Sequence, residues 1–149
     1  AFLAEAERTI ALNPNDAWTL FRVGNLLANL GDERGITFVR KAVALDPFHP
    51  TWFHFGIAIH HCDRGEFEQA LSAARKIDAT GDFWHPIFLA VIYTELGRER
   101  EASSALQELL RLRPDFSVEK YIEEERKWNR PEEQIRRWAA ALRKTGLPE

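Results

Sequence analysis

Residues Trp84 to Pro114 read WHPIFLAVIYTELGREREASSALQELLRLRP, and this stretch decides the fold. An aromatic residue opens it, an apolar run follows with Ala90 inside, and Gly97 interrupts the run. A second run, with Ala102 and Leu106 in its interior, ends at Arg113-Pro114. Apolar residues recur at three- and four-residue spacing in both halves, which is the period of a helix face. Gly97 supplies the turn between the halves, and Pro114, which lacks an N–H, stops the second. The unit is therefore a helical hairpin. Upstream, Trp18 to Pro47 and Trp52 to Ile77 repeat the same order at a period of about 34 residues. Small residues Gly24, Gly56 and Ala90 mark the first helices, Gly31, Gly65 and Gly97 the turns, and Gly35, Ala70 and Ala102 the second helices. A hairpin of this kind cannot bury its apolar face alone, so repetition means a stack.

Working outward, helices are expected near 1–12, 16–30, 33–45, 50–62, 66–78, 84–96 and 98–111. Pro14, Pro47 and Pro114 end helices, while Asn15-Asp16 and Thr51 are placed to cap the next ones. Gly24, Gly56 and Ala90 are expected to face Gly35, Ala70 and Ala102 and so let paired helices approach closely. Residues 15–47, 48–81 and 82–114 form three repeats, and 1–14 reads as the second helix of an earlier one. Arg8 to Pro14 matches Lys41 to Pro47 in register, so the chain is expected to be cut from a longer protein. The second unit departs from the pattern, with about two extra residues between Gly56 and Gly65 and Gly81-Asp82 in place of a proline. Residues 115–149 break the repeat: Ser117 caps one helix, Pro131 opens another carrying Ile135, Trp138 and Leu142 on one face, and Gly146 ends it. Capping helices are the expected role, with extension or filling of a binding surface as the alternative.

Composition narrows the function classes. With 45% hydrophobic and 29% charged residues the chain is of ordinary globular type, and a net charge of −3 gives no basic footprint for nucleic acid. One cysteine, Cys62, excludes an intrachain disulfide, and no apolar run reaches membrane-spanning length. A cytoplasmic protein without cofactor is expected.

The run of Trp, Leu-x-x-Gly, Gly-Asp or Gly-Glu, a small residue and Ala-x-x-Leu-x-Pro resembles the tetratricopeptide repeat over about residues 1–114. That resemblance implies an all-α, right-handed superhelical solenoid of antiparallel helix pairs, used for protein–protein recognition. The ending, Arg111 to Phe116, Lys127-Trp128 and Ala141 to Glu149, with Trp52 to Phe55 and Gly81 to Trp84, is similar to the C-terminal repeat region of certain bacterial signalling proteins. In those an effector precedes the repeats, often a class III adenylate or guanylate cyclase, or a winged-helix DNA-binding domain, with a TolB-like segment between.

The resemblance also implies which residues line the concave surface. They are Trp18, Phe21, Asn25 and Asn29, then Phe53, Ile57, His60 and His61, then Trp84, Ile87, Val91 and Glu95. Of the Lys, Arg and Asn set with which family members clamp a chaperone's C-terminal carboxylate, only Asn25 is present. An aromatic and aliphatic floor suits an amphipathic helix or an extended apolar peptide instead. Self-association, a structural spacer and the repeat region of a DNA-binding regulator stand as alternatives. A metal-dependent enzyme is the remotest reading. His54 and His61 lie two turns apart, roughly 10 Å, and His60 and His61 point about 100° apart, so no metal is expected. Glu123 to Glu125 and Glu132-Glu133 read as solvated or dipole-complementing acids, and no nucleophile–base set or phosphate loop is visible.

Overall fold

The computed structural model describes residues 2–149, with side chains from residue 4. The expected helix start at Ala1 lies outside the described residues. Among them the chain is an all-α solenoid with no strand. Its helices are α1 (Phe2–Leu12), α2 (Ala17–Asn29), α3 (Arg34–Leu45), α4 (His54–Asp63), α5 (Phe67–Ala74), α6 (Trp84–Glu95), α7 (Glu99–Leu112), α8 (Val118–Lys127) and α9 (Glu132–Thr145). Thr51–Phe53 forms a single 3-10 turn ahead of α4. Helices α2 and α3, α4 and α5, and α6 and α7 pack as antiparallel pairs.

One turn closes all three pairs. Gly31, Gly65 and Gly97 are left-handed at φ +75°, +74° and +68°, a region a side chain disfavours. The next residue's N–H then reaches back to the helix: Asp32 to Leu27, Glu66 to His61 and Arg98 to Tyr93, at 2.9, 2.8 and 2.8 Å. This is a Schellman ending, which satisfies carbonyls the helix leaves free. At the other ends Asp16 accepts from Thr19 N at 2.8 Å and Ser117 from Lys120 N at 3.2 Å. Thr51 does not cap; its hydroxyl accepts from Asp78 N at 2.9 Å and ties the loop after α5 to the entry of α4. Helix α5 stops at Ala74, short of the expected 78.

The first pair packs backbone to backbone. A Cβ on Gly35 would lie 2.5 Å from Ala28 N and 2.6 Å from Gly24 O. Gly56 behaves differently from expectation. Its open face meets Asn25 Oδ1 and Val39 Cγ2, both 3.1 Å from a would-be Cβ, so it packs on the preceding repeat and not on Ala70. Its counterpart in the repeat is Ala58, fully buried, six positions after Trp52 and seven before Gly65, as Gly24 and Ala90 stand to their own tryptophans and glycines. The first helix of the second unit thus carries no insertion; the irregularity of that unit lies in α5, which stops at Ala74 ahead of Gly81-Asp82.

The tail does more than cap. Trp138 of α9 meets the Phe88 ring edge-on at 4.9 Å, and Thr145 shares a 2.5 Å hydrogen bond with Thr94 at the end of α6. Further upstream Arg137 donates to Asp63 O at 2.8 Å, and Pro131 and Gln134 adjoin Gly31. Helix α9 therefore starts beside the end of α2, passes the end of α4 and settles along α6. It crosses the inner face made by the first helices of the repeats. Ile135, Trp138, Ala139, Ala141 and Leu142 bury there in one core with Ile87, Phe88 and Val91. Gly146, at φ +103°, ends the helix, and Pro148 O accepts from Val118 N at 2.8 Å, closing the tail on itself.

Candidate functional site

With α9 on part of the inner face, a cavity of about 270 Å³ remains beside it. Phe21, Asn25 and Asn29 of α2 form one wall, Trp52, Phe55 and Ile59 the floor, and Trp84 and Phe88 of α6 the far wall. Helix spacing explains the set, because 21, 25 and 29, 55 and 59, and 84 and 88 each step by four along one face. Asp82 lies at the rim beside Trp84, and its carboxylate accepts from the Trp84 backbone N–H at 2.8 Å. Glu125, Trp128 and Arg130, from the end of α8 and the α8–α9 link, close the other side.

The expected groove residues separate into groups. Phe21, Asn25, Asn29 and Trp84 line the cavity. Trp18 is half exposed outside it, edge-on to Trp52 at 5.5 Å. Phe53 is 0% exposed, stacked on Phe21 at 4.0 Å inside the first core, so it cannot meet a ligand. Ile57 packs between the two cores. Ile87 and Val91 are buried, and Val91 and Glu95 border a cleft shared with Cys62, Phe67, Arg137 and Trp138, where α9 already sits. Phe55 and Ile59 take the places given to Phe53 and Ile57, a two-residue correction that follows from the register of Ala58. Phe88, Trp128 and Arg130 had no place in the expected set. Phe88 could have been found by stepping four from Trp84; the two tail residues carry no repeat signal.

His60 and His61 turn away from the cavity. His61 Nδ1 lies 2.6 Å from Glu66 Oε2, its Nε2 lies 3.4 Å from Arg40, and Arg64 donates to Glu66 at 3.0 Å. Ligand atoms of His60, His61 and Glu66 fall within 4.8 Å of one another, a grouping that α4 alone does not provide because Glu66 lies beyond the turn at Gly65. Two guanidiniums share these groups, which disfavours adding a cation. Burial lowers the affinity of His60 for a proton, as it does for His54, whose Nε2 lies 3.2 Å from His49 Nε2.

Behind the cavity is the molecule's principal electrostatic knot. Arg130, 1% exposed, lies 2.6 Å from Asp63 and 3.4 Å from Glu125 and stacks over Trp138 at 4.0 Å. Burial raises the Asp63 and Glu125 carboxyls above their ordinary range, opposed by Arg130. Burial works against the charge of Arg130 too, yet attraction to the Asp63 and Glu125 carboxylates holds its guanidinium net above the usual value. Nearby, burial also pushes the Cys62 thiol up, which makes it inert as a nucleophile. Asn25 Oδ1 and Arg130 Nε are buried without a hydrogen-bond partner among the described residues.

The fold is similar to that of a solved structure, the RS-1 MamA ArsTM double mutant, a TPR-containing protein, with a TM-score of 0.66 and 20% identity over 94% of this chain and 79% of that one. The arrangement of helices is thus of the tetratricopeptide kind. No protein-family model and no curated protein sequence matches the chain. No helix among the described residues is long and apolar enough to cross a membrane.

Proposed function

We propose that this chain is a non-catalytic protein-recognition module whose working surface is the aromatic cavity between α2, α4, α6 and the α8–α9 link. The observation that carries this reading is that cavity: aromatic walls from every repeat remain open although α9 covers the rest of the inner face. At about 270 Å³ it accepts one or two side chains of a partner rather than a docked helix. Aromatic anchors set on rigid helices supply contact area at small entropic cost, which is how interface hot spots are built. The mechanism is shape and apolar complementarity, with no bond made or broken.

A cytoplasmic bacterial signalling protein is the parent this reading favours, with a cyclase or DNA-binding effector preceding the repeats. Its support is the resemblance of the ending from Arg111 onward. Selection from a displayed peptide library tests the module itself. Binders should be lost on Trp128→Ala and Trp84→Ala while helicity stays, since Trp128 is 58% exposed and its truncation opens no core. Binders indifferent to both substitutions, or no binders at all, would remove the cavity as the working surface.

A further inference from the structure

The cavity is lopsided in charge as well as aromatic. Phe21, Trp52, Phe55, Trp84, Phe88 and Trp128 present π faces and edges around it. Phe21 and Trp52 stand nearly perpendicular, 77° apart at 4.9 Å, and Phe55 and Phe88 are tilted by 51° at 5.3 Å. These are walls meeting at an angle, not a flat stack. The lining also carries Asp82, Glu125 and Arg130. Arg130 is matched by Asp63 and Glu125, and its guanidinium face is already taken by Trp138. Asp82 has no such match. Its carboxylate accepts only the Trp84 backbone N–H, and no Lys or Arg pairs with it among the described residues. Behind the wall Asp63 and Glu125 face Arg130, with Arg137 also beside Asp63, so Asp82 is the carboxylate left over. Asn25 Oδ1 is turned from the cavity towards Gly56, so the charge at the rim is that of Asp82.

Negative charge at the rim and ring faces around it both favour a cation with apolar flanks. An anionic side chain would be repelled by Asp82, and a neutral aliphatic one would leave that carboxylate without a cation. We infer that the cavity takes the ammonium side chain of a lysine, free or N-methylated, presented by a partner protein. Its methylenes lie along Phe21 and Phe55 and its head reaches the Trp84–Asp82 rim. This rests on the recognition reading above and names the chemistry of the anchor.

The test uses the full chain and four blocked amino acids: N-acetyl methylamides of lysine, trimethyllysine, norleucine and glutamate. Binding is followed by NMR shifts of the tryptophan indoles up to tens of millimolar. Both ammonium probes should saturate, and norleucine should bind roughly tenfold more weakly. Asp82→Asn removes the charge and keeps an acceptor for the Trp84 backbone N–H, since an Asn side-chain oxygen makes the same turn bond. It should weaken the ammonium probes by about fivefold and leave norleucine unchanged. Equal binding of norleucine and lysine, preference for glutamate, or no response from any probe would each overturn the ammonium assignment. Library-selected peptides that still need Trp128 but contain no lysine would also overturn it, while leaving the recognition module standing. Absence of both peptide and probe binding would remove both.

Discussion

Replacing Arg130 by Met is the sharpest way to ask whether the tail is locked across the inner face. The guanidinium sits 2.6 Å from Asp63, 67 residues away in sequence, and 3.4 Å from Glu125. Methionine fills part of the volume, so the loss is mainly electrostatic. Two buried carboxylates would lose their cation, and breaking a buried pair from one side costs about 3–5 kcal/mol. For a chain of this size that is roughly 6–20 °C in Tm. The pH dependence has a definite sign. Asp63 and Glu125 hold protons more tightly folded than their ordinary values of 3.8 and 4.5, so the folded state binds more protons just above those values. Stability contributed by these groups therefore falls as pH rises from the unfolded values through the folded ones. Without Arg130 the folded values climb further, and the deficit should be greatest at pH 7–8 and shrink towards pH 5. Urea unfolding followed by circular dichroism at pH 5, 6, 7 and 8 reads this directly. Asp63→Asn and Glu125→Gln added to the Met variant should restore most of the loss. A single variant within ~1 kcal/mol of the parent at every pH would refute a locked charge knot.

Gly35→Ala should destabilise by at least about 1–3 kcal/mol, because the added methyl meets the backbone of α2, and Gly56→Ala by clearly less, because it meets side-chain atoms. Equal urea midpoints for the two variants would contradict the packing. Cys62 should resist a disulfide-exchange reagent at pH 8 until the chain unfolds, being buried with its thiol pushed up; rapid labelling of the native protein would refute its burial. Ending the chain at Asp115 should expose Phe88 and Val91 and produce aggregation or loss of α6 helicity. A monodisperse truncated protein with the parent Tm would show that α9 is dispensable. Light scattering across concentration on the intact chain should report a monomer, since the tail occupies much of the face that self-association would use.

The hairpin repeat was legible because its signals are local. Gly31, Gly65 and Gly97 announce turns that only a left-handed residue closes, and Pro14, Pro47 and Pro114 announce stops. Ser117 and Gly146 likewise place the tail helices by themselves, although Pro131 stands just before α9 rather than inside it. The register of α4 was not legible in the same way. Phe53, Phe55, Ile57 and Ile59 put apolar residues on more than one side, so periodicity alone does not say which side faces inward. Gly56 adds to the ambiguity, because a glycine two positions before Ala58 resembles a small packing residue equally well. Burial of Ala58 and Phe53 resolved it.

Chain order and local propensity alone sufficed for an all-α stack, its three turns and two further helices at the end. The path of those last helices, and the cavity they leave, arise only in the folded molecule. Arg130 reads in sequence as one more basic residue in a charged tail. It becomes the pivot of the site once Asp63, Glu125 and Trp138 surround it, in contacts that desolvation makes strong and that no periodicity encodes.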